Sequence, residues 1–185
     1  MSVAEPDVLI PVAAVADGAP APEAANTFDI FVSYRLRPDE QLAGELRDLL
    51  TSSLDPEPRV FVSGLGGLRA SAFGYREQLH NAARKAAAYV GLITKASIDR
   101  EWIFFEAGAA FGRGVLYVPV LVDVAPSELP SSIAGYQAVL AKDQSRMREL
   151  VDDIAGAIGR SSKTQFGKRL SEICSCARRL RATSG

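Results

Sequence analysis

The sequence predicts a doubly wound α/β fold, in which a parallel sheet carries helices on both faces. Three observations carry that prediction. Short apolar runs rich in Val, Ile and Phe alternate with longer stretches of helical periodicity. Within those runs, successive positions are apolar rather than every second one, the pattern of strands buried on both faces. The 185 residues are 48% apolar and 23% charged, enough for a single domain with a sizeable core.

The elements follow in order. Phe28-Asp29-Ile30-Phe31-Val32-Ser33 reads as a buried first strand. Pro38 and Asp39 open a helix whose Leu42, Leu46, Leu49 and Leu50 share one face, with Pro56 and Pro58 beyond its end. Arg59-Val60-Phe61-Val62-Ser63 is a second strand, running into the Gly-rich loop 64–71, too rich in glycine for regular structure. A helix is expected over 74–87 and a third strand over Ala88–Ile93. A helix over 99–112 ends at Gly112 and Gly114, followed by strand Val115–Val122. Tyr136–Leu140 is a fifth, weaker strand. An amphipathic helix over 143–158 carries Met147, Leu150, Val151, Ile154 and Ile158.

Charge divides the chain differently. Residues 1–34 hold five acids and no base, and 160–185 hold seven bases against Glu172, while the middle is nearly balanced. The net charge of −1 therefore excludes a uniformly basic nucleic-acid binder and a uniformly acidic disordered chain. Residues 1–26 are expected to be a flexible, acidic Ala/Pro-rich arm, and 160–185 a basic helical tail or the start of a further module. Any contact with nucleic acid or an acidic partner is confined to that tail; its plainer reading is a solvated face. No apolar run approaches the roughly 18 residues that span a bilayer, and the run Val8–Val15 lacks a positive flank. The expectation is a cytoplasmic protein without a membrane partner. Cys174 and Cys176 read as reduced thiols, and with one histidine (His80) no metal site is expected. The excess of Arg over Lys and the abundant Ala hint at a GC-rich bacterial genome.

In a doubly wound sheet the ligand crevice lies beyond the carboxyl ends of the strands, where the winding reverses. That rule nominates Ser33-Tyr34-Arg35, the loop 63–71, Thr94-Lys95 and Asp123. The most unusual local feature is Glu106, the only ionisable residue between Trp102 and Gly112 on a helix otherwise apolar all round. Trp102 stands four residues earlier, one turn away on the same face. Such a carboxylate is either a single solvent-facing position or a group held in a cleft, where its chemistry becomes useful. No phosphate-loop lysine, dinucleotide fingerprint or glycosidase-type carboxylate pair accompanies it.

These residues resemble a Toll/interleukin-1 receptor (TIR) domain over about 27–159. Phe28–Arg35 resembles the family's opening strand with its terminal Ser-Tyr-Arg. Val60-Phe61-Val62 and the following loop resemble the second strand and BB loop. Trp102 and Glu106, then Gly114 and Val118-Pro119-Val120, resemble the third helix and fourth strand. Ser63 departs from the pattern, since many members carry an acid there. The resemblance implies a flavodoxin-like, five-stranded parallel sheet. It also implies, for the bacterial NAD-cleaving type, cleavage of the nicotinamide–ribose bond of NAD+ with Glu106 as catalytic residue. NAD+ is then the substrate, with no cofactor. Glu106 would hold the ribose hydroxyls and stabilise the oxocarbenium ion, and Trp102 would wall the nicotinamide. Ser33, Tyr34, Arg35 and Ser71 would line the pocket, with Arg35 a phosphate contact. Nicotinamide leaves as a neutral pyridine, so neither a general acid nor a metal is needed. The implied role is defence, including against phage, or signalling, with ADP-ribose or a cyclic form as product and TIR–TIR contacts building a homo-oligomer. Two other readings stay open: a non-catalytic adaptor acting by homotypic contacts, and a nucleoside-processing transferase of similar fold.

Overall fold

The computed structural model describes residues 28–35, 39–63, 82–99 and 101–183. In chain order the elements are β1 (Ile30–Ser33), α1 (Glu40–Ser53), β2 (Leu54–Asp55), β3 (Val60–Val62), β4 (Ala88–Thr94) and α2 (Glu101–Arg113), then β5 (Leu116–Val122), β6 (Val139–Leu140), α3 (Gln144–Ala157), β7 (Ser161–Ser162) and α4 (Gly167–Thr183). A 3-10 turn at Pro126–Glu128 follows β5. Five strands form one parallel sheet in the order β3-β1-β4-β5-β6, the flavodoxin-like arrangement. No described helix is long and apolar enough to cross a membrane.

Strand alternation sorts the core into two layers. Even-numbered residues of the central strands, among them Ile30, Val32, Val90, Leu92, Val118 and Val120, face α1, α3 and α4. Odd-numbered Phe31, Phe61, Tyr89, Ile93, Tyr117 and Leu121 face Ala107 and Ala110 of α2. Seven-residue β4, the central strand, and its neighbour β5 are almost wholly buried, which is why both read as unbroken apolar runs.

Some boundaries differ from expectation for local reasons. The fifth strand starts only at Val139, because a turn closes at Tyr136, whose amide donates to the Ile133 carbonyl at 3.1 Å. α2 starts at Glu101 because Ser97 and Ile98 fold back onto the Thr94 carbonyl, each at 3.0 Å. It closes through Gly114, whose φ of +63° suits glycine. The helix expected over 74–87 is described only from residue 82, with 82–85 helical; the arm 1–26 and His80 lie outside the described residues.

The basic stretch beyond 159 joins the fold. β7 pairs antiparallel with β2, and Lys163 N donates to the Ser53 carbonyl at 2.7 Å. Phe166, Leu170, Ile173, Cys174 and Ala177 are buried against α1 and α3, so one face of α4 is core while Lys168, Arg169, Arg178 and Arg179 are exposed. Both cysteines are free and buried, and burial pushes their thiols up. Arg160 ties this stretch to the segments leading into β1 and β3, bonding Asp29 at 2.8 Å and the Pro56 carbonyl at 3.0 Å.

Candidate functional site

From β1 the chain passes to β3 on one side, then to β4 on the other, so the winding reverses between β1 and β4. Their carboxyl ends carry Ser33-Tyr34-Arg35 and Thr94-Lys95. Arg35 Nη1 donates to the Ala96 carbonyl at 2.6 Å, tying the exit of β1 to the turn after β4. Beneath it lies Asp39, which is 1% exposed. From sequence Asp39 opens a helix, and α1 does begin beside it; its carboxylate, however, caps no amide of α1. Instead it accepts the Thr94 hydroxyl at 2.9 Å, while Thr94 N donates to Ser97 Oγ at 2.8 Å. Burial pushes the Asp39 carboxyl up, opposed by the Thr94 hydrogen bond and by the Arg35 charge.

The second group of residues lies on the sheet face covered by α2. Ser33 pairs in register with Gly91, and Gly91 with Pro119, giving a row of small side chains across three strands. Tyr117 reaches into that row. A Cβ at position 91 would stand 2.4 Å from the Tyr117 hydroxyl, so only glycine fits beneath it. The Tyr117 ring meets Tyr136 edge-on at 4.8 Å, and the Tyr136 hydroxyl donates to the Ala107 carbonyl at 3.2 Å, fastening the ring pair to α2.

Glu106 belongs to this face. It is 2% exposed, not a solvent-facing position, and neighbours the buried Ala107 and Ala110. Its charge is felt by two phenols: burial and then Glu106 push Tyr117 far up, and Glu106 adds to the burial that raises Tyr89. At 100° per residue, Gly108 and Phe111 turn away from the sheet. There, on the flank of α2, a groove of about 470 Å³ is lined by Phe111, Ser131, Ser132, Gly135 and Tyr136, and Phe111 is 78% exposed.

The sequence-derived residues therefore separate. Ser33, 2% exposed, shares the Glu106 face, and its Oγ makes no hydrogen bond among the described residues. Arg35 stands at the carboxyl edge. Tyr34 packs in the opposite layer with α1, because alternation turns it away from its neighbour Ser33. Trp102 lies on α2 one turn before Glu106, and its side chain, like Ser71, lies outside what is described. Asp39 and Tyr117 were not legible as site members. Gly91 was the available signal, a glycine inside an otherwise apolar strand marking a close approach.

No protein-family model and no curated protein matches the chain. Among solved structures, a metazoan TIR-STING receptor from C. gigas is 21% identical over 76% of this chain and 43% of the receptor, with a TM-score of 0.52. The same receptor in complex with 2′,3′-cGAMP is 23% identical over 71% of this chain and 39% of its own, with a TM-score of 0.53. The TIR domains of the activated Roq1 resistosome, which recognises the effector XopQ, are 16% identical over 85% of this chain and 99% of theirs, with a TM-score of 0.46. The chain spans about two-fifths of the receptor's length, and the likeness is one of fold.

Proposed function

We propose that this TIR-like domain cleaves NAD+ at the nicotinamide–ribose bond, with Glu106 as the catalytic carboxylate and a role in bacterial defence or signalling. One observation carries the reading: Glu106, the only ionisable residue between Trp102 and Gly112, is held 2% exposed. Taking a carboxylate out of water is costly, so the position is chemically meaningful rather than incidental.

The chemistry asks little else. The bond between C1′ and the pyridine nitrogen breaks, and its electron pair leaves with nicotinamide, which departs neutral. A cation develops on the ribose, and the Glu106 carboxylate opposes it and accepts hydrogen bonds from the ribose hydroxyls. Water then adds at C1′ and loses a proton to solvent, giving ADP-ribose; addition of a nitrogen of the substrate's own adenine gives a cyclic product. Ser33 lines the same face, and the sequence resemblance would add Trp102 as a wall for the nicotinamide and Ser71 as a pocket residue. Arg35 offers its remaining N–H groups to the pyrophosphate, while Tyr34 buttresses the exit of β1 from the opposite layer. TIR–TIR contacts in a homo-oligomer complete the active form.

The test is nicotinamide release from NAD+, followed by chromatography and mass spectrometry, for wild type and Glu106→Gln over a range of protein concentrations. Release by wild type that rises more than in proportion to concentration, and is lost in the variant, supports the reading. Equal inertness of both proteins across the range overturns it. The second reading, a non-catalytic adaptor working through homotypic contacts, draws on the 78% exposed Phe111 beside the α2 groove.

A further inference from the structure

A second concavity of about 330 Å³ lies at the carboxyl edge of β5 and β6, away from Glu106. Four parts of the chain build it: Lys95 just after β4, the end of β5 with its following turn, the end of β6 with Lys142 just after it, and Ala177 and Arg178 of α4. Its floor is apolar, formed by Val124, Leu140 and Ala177. Its volume falls at the lower end of the about 300–1,000 Å³ typical of small-molecule sites.

Five charged residues line it, Lys95, Asp123, Glu128, Lys142 and Arg178, and they are unequally committed; Asp123 acts on the Lys95 charge. The Glu128 carboxylate accepts both Lys95 Nζ and, at 2.6 Å, the Ala125 amide, so that pair is internally matched. Lys142 and Arg178 are exposed and form no ion pair among the described residues. Arg178 is placed there by helix periodicity. Leu170, Ile173, Cys174 and Ala177 face the core, and the next residue falls at the lip of the concavity. Asp123, at the mouth, takes a left-handed φ of 53°, the sharp turn that carries the chain around the cavity wall.

We propose that this concavity is a second binding site, for a small organic phosphate of about mononucleotide size. Lys142 and Arg178 grip the phosphate and the apolar floor receives the organic body. Guanidinium and ammonium groups form strong charge-assisted hydrogen bonds to phosphate oxygens. The floor is what distinguishes such a ligand from a bare anion. The site is independent of Glu106 and of the chemistry assigned to it.

The test is titration of the full chain with adenosine 5′-monophosphate, read from methyl NMR shifts of Val124, Leu140 and Ala177. Saturable shifts are expected, weakened about tenfold or more in Lys142→Gln/Arg178→Gln and within about twofold of wild type in Glu106→Gln. Adenosine and inorganic phosphate, titrated separately, should each bind about tenfold or more weakly than the nucleotide. Circular dichroism of both variants checks that they fold, and the two exposed glutamines leave the core untouched. Four results would overturn the proposal. These are no saturable shift at these methyls, unchanged affinity in the folded double variant, loss of binding in Glu106→Gln alone, or equal binding of adenosine or phosphate.

Discussion

The hydroxyl of Tyr117 lies so close over Gly91 that a single added methyl group would meet it at 2.4 Å. Tyr117 is 4% exposed, and its hydroxyl makes no hydrogen bond among the described residues. The pair holds the middle of the sheet face on which Glu106 lies, so the spacing there depends on a glycine and a phenol together.

Gly91→Ala should therefore destabilise the fold by about 1–3 kcal/mol through overpacking. Tyr117→Phe should be neutral or stabilising by up to about 1 kcal/mol, since it removes a buried hydroxyl without a partner among the described residues. Combining the two should recover much of the alanine loss. Urea denaturation of the four proteins measures it, and simple additivity would contradict a direct contact.

If Glu106 opposes a cation that exists only in the transition state, Glu106→Gln should lower kcat by about 10²–10³-fold with a small change in KM. Arg35→Gln should chiefly raise KM for NAD+, because a phosphate contact is made in ground and transition states alike. Steady-state kinetics on both variants separates the roles, and a kcat defect confined to Arg35→Gln would reverse them.

Asp39 is linked to stability with the opposite sign to a carboxylate whose pKa folding lowers. Its folded-state pKa lies above the ordinary 3.8, so folding favours the protonated form. That stabilisation is fully present below pH 3.8 and is lost as pH rises through the folded value. Above that value the ionised, buried carboxylate weakens the fold. Asp39→Asn should thus raise Tm at pH above the folded value, and its advantage should shrink as pH falls through that value toward the ordinary 3.8. Thermal melts at several pH values check this; an advantage that grows on acidification would show the sign to be wrong.

The last helix is core rather than ornament. Ile173 is fully buried and Leu170 nearly so, so Ile173→Ala or Leu170→Ala should each cost about 2–5 kcal/mol. Replacing exposed Lys168 or Arg179 by Ala should change stability by less than about 0.5 kcal/mol. Denaturation midpoints compare the two classes, and equal effects would return the tail to a solvated appendage.

Much of this architecture was legible because burial on both faces leaves a continuous apolar signature. β4 and β5 were readable for that reason, as were α1 and α3 from Leu and Ile spacing. β2 and β7 were not, since two residues apiece are held by pairing across about a hundred positions rather than by local pattern. Asp39 reads as a cap because capping is local; its hydroxyl donor, Thr94, is 55 residues away. Tyr34 was grouped with Ser33 as a strand end, although adjacent strand residues point to opposite sides. Glu106 stood out by contrast with its apolar neighbours, and that contrast is visible without coordinates.

The Asp29–Arg160 bridge, with partners 131 residues apart, has a consequence for how the chain is born. At about 5–20 residues per second, the first strand leaves the ribosome on the order of ten seconds before its clamp exists. α1 waits longer still, until Ile173 and Ala177 arrive to cover it. During that interval its leucines face water or a chaperone, so α4, synthesised after every other described helix, is the element that ends their exposure to aggregation.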